Sequence, residues 1–134
     1  MKIYDCITYC GEDLLLKIRF ETLNNQVDKF IIIEGNRYFN GDKKPKFFDL
    51  NKFKKFKKKI EYYYIEDFPK HNGDNYEYEH YQRNQIKRAF NKLKSNDIVL
   101  LSDADEIPKL KNKKFLNSDS TVFLQNMYYY KFNI

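Results

Sequence analysis

The chain has 134 residues, of which 42% are hydrophobic and 33% charged, with 12 Tyr, 12 Phe and no Trp. This composition excludes a disordered chain, and the length predicts a single domain over residues 1–134 rather than two. The net charge of +6 comes almost entirely from lysine, with 21 Lys against 4 Arg. Because nucleic-acid readers rely on Arg for bidentate contacts, no nucleic-acid partner is expected.

The amino-terminal stretch K-I-Y-D-C-I at residues 2–7 follows Met1 directly, with no long apolar run and no cleavage site. We therefore expect neither a signal peptide nor a membrane span, and a cytoplasmic location. Cys6 and Cys10 have no second cysteine pair and no nearby His to complete a zinc site. They are expected to be reduced thiols.

The first part of the chain has the pattern of a strand, a helix and a second strand. Residues 2–9 predict a strand, and Gly11-Glu12-Asp13 opens a helix whose apolar side is formed by Leu14, Leu15, Ile18 and Leu23. The run Lys29–Ile33 predicts a second strand, parallel to the first and covered on both faces, with Glu34 at its carboxyl end. Together these elements predict a βαβ unit.

The next stretch is rich in lysine. A loop over residues 36–45, with Arg37, Lys43, Lys44 and Lys46 near the edge of the sheet, either receives phosphates or is solvated surface. A short helix is predicted from Asp49 or Asn51 to Lys59, with Phe53, Phe56 and Ile60 inward and its lysines outward. That lysine face is either solvated or contacts anionic membrane or nucleic acid. Residues 60–65 predict a third strand.

A long helix is predicted from about residue 76 to 95, with an apolar face formed by Tyr81, Ile86, Ala89, Phe90 and Leu93. Arg83 lies in a polar patch, Q-R-N, near its first turns. The planar fork of Arg83 suits a diphosphate or a carboxylate, and an ordinary surface salt bridge is the alternative.

The stretch N-D-I-V-L-L-S-D-A-D-E-I-P at residues 96–108 combines an apolar run with an acidic cluster. Residues 98–101 predict a central strand buried on both faces, and Asp103, Asp105 and Glu106 follow at once. Ligands of open α/β sheets bind beyond the carboxyl ends of the strands, and carboxylates there are suited to holding a cation. The alternative is that they only cap and solvate the strand end.

The last stretch, residues 121–134, alternates in a way compatible with a strand, with Val122, Leu124 and Asn126 on one side. No later element is available to cover it. We therefore predict self-association of the chain, as a homo-oligomer, through this apolar surface.

Four blocks of the sequence together resemble glycosyltransferase family 17. They are K-I-Y-D-C-I-T-Y, I-I-I-E-G-N-R-Y with G-D-K-K-P-K, Y-Q-R-N-Q-I-K-R-A-F, and V-L-L-S-D-A-D-E-I-P. The resemblance covers nearly the whole chain in the same order. It implies a Rossmann-like α/β fold of the A type (GT-A), with a mostly parallel sheet. It also implies inverting transfer of N-acetylglucosamine from UDP-N-acetylglucosamine to a mannosyl glycan acceptor, as in the enzymes that add the bisecting residue to N-glycans.

The resemblance also implies roles for particular residues. Asp103-Ala104-Asp105 is the D-x-D motif that holds Mn²⁺ or Mg²⁺, with Asp105 the favoured direct ligand and Asp103 also beside the donor. Arg83 is the candidate for a further phosphate or nucleotide contact, and Thr8 and Glu34 are placed beside the nucleoside. Glu106 is a candidate general base, with a structural role in capping the turn as its alternative.

Three other functions remain open at this stage. Family members continue beyond this length, so a truncated chain that binds donor and turns over poorly is the first. An apolar strand before D-A-D-E-I also approaches the signature of haloacid-dehalogenase-like phosphatases, in which Asp103 would be the nucleophile. A basic module that binds RNA or an anionic surface is the third, and it would bind with steep salt dependence and no need for metal.

Overall fold

Four parallel strands form the sheet in a computed structural model that describes residues 1–125. The strands are β1 (Ile3–Tyr9), β2 (Lys29–Gly35), β3 (Ile60–Ile65) and β4 (Ile98–Ser102). Their order across the sheet is β3-β2-β1-β4, and every neighbouring pair is parallel. The α/β class and the parallel sheet predicted from the apolar runs are confirmed.

The connections between these strands are helical. The α-helices are α1 (Asp13–Leu23) and α2 (Asn75–Asn84), and 3-10 helices cover Leu50–Phe56, Gln85–Lys92 and Lys113–Asn117. Asp49 caps the first 3-10 helix, as predicted, by accepting a hydrogen bond from the amide of Asn51. Asp74 caps α2 in the same way through the amide of Tyr76.

The direction of strand addition reverses between β1 and β4. β1, β2 and β3 lie side by side in chain order, and the chain then returns to place β4 on the free side of β1. Ile7 of β1 is therefore flanked by Ile32 on one side and Ser102 on the other. In doubly wound sheets such a reversal leaves a crevice at the carboxyl ends of the two strands, and ligands bind there.

Each face of the sheet has its own core. On one face, α1 and the 3-10 helix Leu50–Phe56 pack on the sheet, with Phe20 in ring contact with Phe30, Phe53 and Phe56. On the other face, Ile86 and Ala89 of the 3-10 helix after α2 cover residues of β1, β2 and β3. The sheet is thus sandwiched between helices, as expected for parallel strands.

The buried face of α1 differs from the predicted one. Leu14 is 71% exposed and Ile18 45% exposed, whereas the buried residues are Leu16, Arg19, Phe20 and Leu23. These four have the i, i+3, i+4, i+7 spacing of one helix face. The predicted face named only apolar residues and so left out Arg19, which is buried because it forms an ion pair inside the protein with Asp5.

The prediction that β4 is a central strand buried on both faces was also wrong. Among residues 1–125, β4 lies at the edge of the sheet and pairs with β1 alone. Of its residues only Leu100 is buried, while Val99 is 36% and Leu101 55% exposed. The helical layer on that face lies over the other strands, with Ile86 and Ala89 against β1 to β3, so the outward side chains of β4 lack a cover among the described residues.

The predicted long helix over residues 76–95 is broken after Asn84. There α2 gives way to the 3-10 helix Gln85–Lys92, and Phe90, predicted to be inward, is 46% exposed. At the junction the carbonyl of Tyr81 accepts hydrogen bonds both from the side chain of Gln85 and from its backbone amide. Leu93 then has an extended backbone, which ends the helical segment.

The predicted terminal strand lies mostly outside the described residues. Residues 121–125 form no strand, and residues 126–134 are not described. Self-association through that surface stays a prediction. Within the described part of the chain, no helix has the length and apolar character needed to cross a membrane.

Gly35, at the end of β2, has no room for a side chain. A Cβ built there would lie 2.6 Å from Cζ of Phe68 and 2.9 Å from Oε1 of Gln82. We expect Gly35→Ala to lower the free energy of unfolding by about 1–3 kcal/mol, because the well-packed ring must move. Urea denaturation measures this loss. Adding Phe68→Leu should recover part of it, and a double variant as unstable as the single one would contradict the steric explanation.

Candidate functional site

A cleft of about 350 Å³ opens where β1 and β4 end, at the reversal of strand order. It is bounded by the residues after β1, by α2 and by the acidic turn after β4. The residues that line it include Thr8, Tyr9, Cys10, Glu12, Phe39, Glu79, Gln82, Arg83, Asp103 and Asp105. The cleft thus coincides with the ligand-binding position of open α/β sheets.

Four of the six predicted site residues lie together in this cleft. Thr8 comes from β1, Arg83 from α2, and Asp103 and Asp105 from the turn after β4. Asp103 has a half-exposed side chain and Asp105 is exposed. Sequence positions some 95 apart meet here because β4 pairs directly with β1.

Arg83 links the acidic turn to α2. Its Nη2 donates to Oδ1 of Asp103 and to Oε1 of Glu79, each at 3.0 Å. The Arg83 side chain is 34% exposed, so it is still accessible to solvent in the cleft. The sequence left open whether Arg83 binds a diphosphate or a carboxylate, or forms an ordinary surface salt bridge. In the structure Arg83 pairs with two carboxylates, and its guanidinium remains partly accessible beside the acidic turn.

Gln82 holds α2 on the end of the sheet. It is 2% exposed, and its Nε2 donates to the carbonyl of Ile33 at 3.1 Å and to that of Tyr9 at 3.4 Å. Those two carbonyls belong to β2 and β1, so one side chain ties the helix to both strands. This contact fixes the position of α2 relative to the sheet, and with it the position from which the next residue, Arg83, reaches the cleft.

Glu106 does not line the cleft. Its Oε2 accepts a hydrogen bond from the amide of Asp103 at 3.1 Å, and its own amide donates to the carbonyl of Asp103. The amide of Ile107 donates to the carbonyl of Asp105 in the same turn. This geometry favours the capping role of Glu106 over the role of general base.

Glu34 is also outside the cleft, completely buried at the end of β2. Its Oε1 accepts from Nζ of Lys44 at 2.6 Å and from the amide of Phe47, and its Oε2 accepts from the amide of Phe48 and the hydroxyl of Tyr62. With four donors from its own chain, Glu34 anchors the loop after β2. It is not placed to meet a nucleoside, and Lys44 is not available to a phosphate.

Arg19 and Asp5 form a second buried ion pair, which the sequence analysis missed. Both side chains are completely buried, and the guanidinium binds the carboxylate through two nitrogens, Nε to Oδ2 at 2.8 Å and Nη2 to Oδ1 at 2.7 Å. An Arg at the i+3 position between apolar Leu16 and Phe20 was the available signal, since that spacing puts it on their side of the helix.

Two titratable side chains of the cleft stay protonated at neutral pH. Burial raises the pKa of the Cys10 thiol, so it is a poor nucleophile. Burial, and then the hydrogen bond from its hydroxyl to Asp13, raise the pKa of Tyr9. Neither group adds negative charge to the cleft.

The carboxylates of the cleft suit a hard cation that takes its remaining ligands from a bound phosphate. Among residues 1–125 there is no group of three or more His, Cys, Asp or Glu side chains arranged to hold a metal ion. Asp103 and Asp105 nevertheless line the same wall. Mg²⁺ is commonly held by one or two carboxylates together with substrate phosphates, so this pair fits a cation that binds with its ligand.

Several lysines of the basic segment are engaged within the chain. Lys52 and Lys55 pair with Asp13 and Glu21 of α1, and Lys59 donates to the carbonyls of Asn24 and Val27. These contacts attach the 3-10 helix Leu50–Phe56 and its following turn to α1 and to the residues just after it. These lysines therefore have a structural role that does not depend on an anionic partner.

Comparison with known proteins places the chain in a family. The pattern of glycosyltransferase family 17 matches residues 1–133. The chain belongs to glycosyltransferase family 17. The family resemblance inferred from the four sequence blocks is thereby confirmed, and the phosphatase alternative, with Asp103 as nucleophile, is set aside.

Curated relatives in this family carry the name β-1,4-mannosyl-glycoprotein 4-β-N-acetylglucosaminyltransferase. The human and rat proteins are each 29% identical to this chain over 125 residues, and the mouse protein is 28% identical. Each alignment covers 86% of this chain and 23% of the relative. The chain therefore spans about a quarter of their length. No solved structure matches it.

Proposed function

We propose that this chain provides the donor site of an inverting, metal-dependent N-acetylglucosaminyltransferase. The donor is UDP-N-acetylglucosamine and the acceptor a mannosyl glycan. Support for the reaction class comes from membership of family 17 and from the names of the curated relatives. Support for the donor site comes from the cleft. We further propose that the α/β sheet is of the GT-A type.

The observation that carries the proposal is the meeting of two carboxylates and a guanidinium in one cleft. Asp103 and Asp105 lie at the end of β4, and Arg83 approaches from α2. Both kinds of group suit a nucleoside diphosphate, because a cation held on carboxylates and direct contact with an arginine fork each balance part of its charge. Thr8, near the end of β1, also lines the cleft.

In this proposal Asp103 and Asp105 hold Mn²⁺ or Mg²⁺. When bound, such an ion neutralises charge that develops on a diphosphate leaving group. Arg83 adds a second positive charge beside the metal site. Gln82 holds α2, and thus Arg83, in this position through its bonds to the two strands. The capping bonds of Glu106 keep the turn closed while Asp105 stays exposed to the ligand.

Calorimetric titration tests the donor site. Wild-type protein is titrated with UDP and with UDP-N-acetylglucosamine, with and without Mn²⁺. We expect binding that requires Mn²⁺, and a loss of about tenfold in affinity for Asp105→Asn, because one carboxylate and the phosphate oxygens remain as ligands. Release of UDP in the presence of a mannosyl glycan, measured separately, tests turnover.

Asp119→Asn is the matched control, since Asp119 is an exposed carboxylate outside the cleft. It should bind like the wild type. Binding of equal strength without metal, or an equal loss in both variants, would contradict the assignment of Asp105.

A further inference from the structure

One buried guanidinium makes hydrogen bonds to nearly every residue of the acidic turn. Nη1 of Arg19 donates to the carbonyl of Asp103 at 2.7 Å, to that of Glu106 at 3.1 Å and, more distantly, to that of Ala104 at 3.4 Å. Nη2 donates to Oγ of Ser102 at 2.6 Å, and Ser102 in turn donates to the carbonyl of Glu106. The turn is thus bonded to α1 and not only to itself.

These bonds fix which way the turn faces. The carbonyls of Asp103, Ala104 and Glu106 point inward to the guanidinium, while the carboxylates of Asp103 and Asp105 line the cleft. Ala104, between the two, is buried at 7% exposure. Because the backbone of the turn is bonded to Arg19 on its inner side, the side chains of Asp103 and Asp105 are left on the side that lines the cleft.

Asp5 orients the guanidinium for this task. It binds Nε and Nη2 side on, which leaves Nη1 and the second hydrogen of Nη2 directed toward the turn. Only arginine has five donors in a rigid plane, so lysine, with three donors on a single nitrogen, could not satisfy the whole set.

We propose that Arg19, oriented by Asp5, is the positioning residue that shapes the turn of residues 102–106 so that Asp103 and Asp105 face the donor. The effect on ligand binding rests on the proposed function, whereas the effect on the turn does not. The competing explanation is that the pair stabilises the fold in general and that the turn would keep its shape without Arg19.

Arg19→Lys separates the two explanations, because it keeps a positive charge beside Asp5. The readouts are amide hydrogen exchange of the peptide spanning residues 102–108 and calorimetric binding of UDP with Mn²⁺. We expect exchange of this peptide to become about tenfold faster and the affinity for UDP with Mn²⁺ to fall about tenfold, as for loss of other groups that orient metal ligands.

Leu23→Ala is the matched control, since Leu23 lies one turn further along the same buried face of α1. It should lower stability and speed exchange of the sheet, but leave the peptide of residues 102–108 and the binding of UDP unchanged. If Leu23→Ala loosened this peptide as much as Arg19→Lys does, the general-stability explanation would hold and the proposal would fail.

Ser102→Ala serves if Arg19→Lys does not fold, because it keeps the ion pair and the direct bonds from Nη1, and removes only the bridge through Ser102 from Nη2 of Arg19 to the carbonyl of Glu106. A smaller but clear acceleration of exchange in the same peptide is expected. Exchange at the wild-type rate in whichever variant folds overturns the proposal. If the wild type itself binds no UDP, the donor site fails, and the exchange rates still decide whether Arg19 positions the turn.

Discussion

Replacing Asp5 by leucine is expected to lower the free energy of unfolding by about 3–5 kcal/mol, because Arg19 then remains as an uncompensated buried charge. Both side chains of the pair are completely buried, so water cannot take the place of the carboxylate. Such a loss is a large share of the about 5–15 kcal/mol that stabilises a typical domain. Urea denaturation followed by circular dichroism measures it.

The double variant Asp5→Leu with Arg19→Met is the informative comparison. Buried ion pairs replaced by apolar residues of similar size are often neutral or stabilising, so we expect most of the lost stability to return. The carbonyls of the acidic turn still lack their donor, and binding of UDP with Mn²⁺ should stay weak. A double variant as unstable as Asp5→Leu would mean that losing the bonds from Arg19 to the turn costs as much stability as removing the unpaired charge returns.

Arg83→Gln is expected to change two affinities in opposite directions. Binding of UDP with Mn²⁺ should weaken about 10- to 100-fold, the value of one or more hydrogen bonds between charged groups. Binding of Mn²⁺ alone should tighten about two- to fivefold, because Asp103 is freed from a partly exposed ion pair. Calorimetry with UDP and the paramagnetic resonance signal of free Mn²⁺ measure the two effects.

Arg88→Gln is the control for this substitution. Arg88 lies in the 3-10 helix that follows α2 and pairs with Asp67 through both carboxylate oxygens, and it does not line the cleft. It should leave both affinities unchanged. If Arg83→Gln weakened UDP and Mn²⁺ alike, the ion pair with Asp103 would be supporting the metal site and not competing with the cation.

The strands and the place of the site could be predicted from the sequence because both depend on local signals. Short apolar runs mark β1 to β4, and an acidic cluster directly after β4 must emerge at the carboxyl edge of a parallel sheet. The position of Arg83 in the cleft followed from a resemblance and from its scarcity. Its bond to Asp103, twenty residues away in the chain, has no local signal.

The errors have a common physical origin in contacts between distant parts of the chain. Arg19 was left out of the predicted buried face because its partner Asp5 lies in another element. Glu34 was taken as a ligand contact, although Lys44, Tyr62 and two amides enclose it. The edge position of β4 depends on pairing with β1, which its own composition does not reveal.

The separation of β1 and β4 along the chain also orders the events of folding. β1, α1 and β2 are neighbours in sequence and can pair early, whereas Ile3 must wait for Ile98 before β4 is in place. Closing the long loop between β1 and β4 is slow, because the chain loses conformational entropy before the contacts between the two strands form. The acidic turn follows β4, so the cleft exists only once β4 has paired with β1.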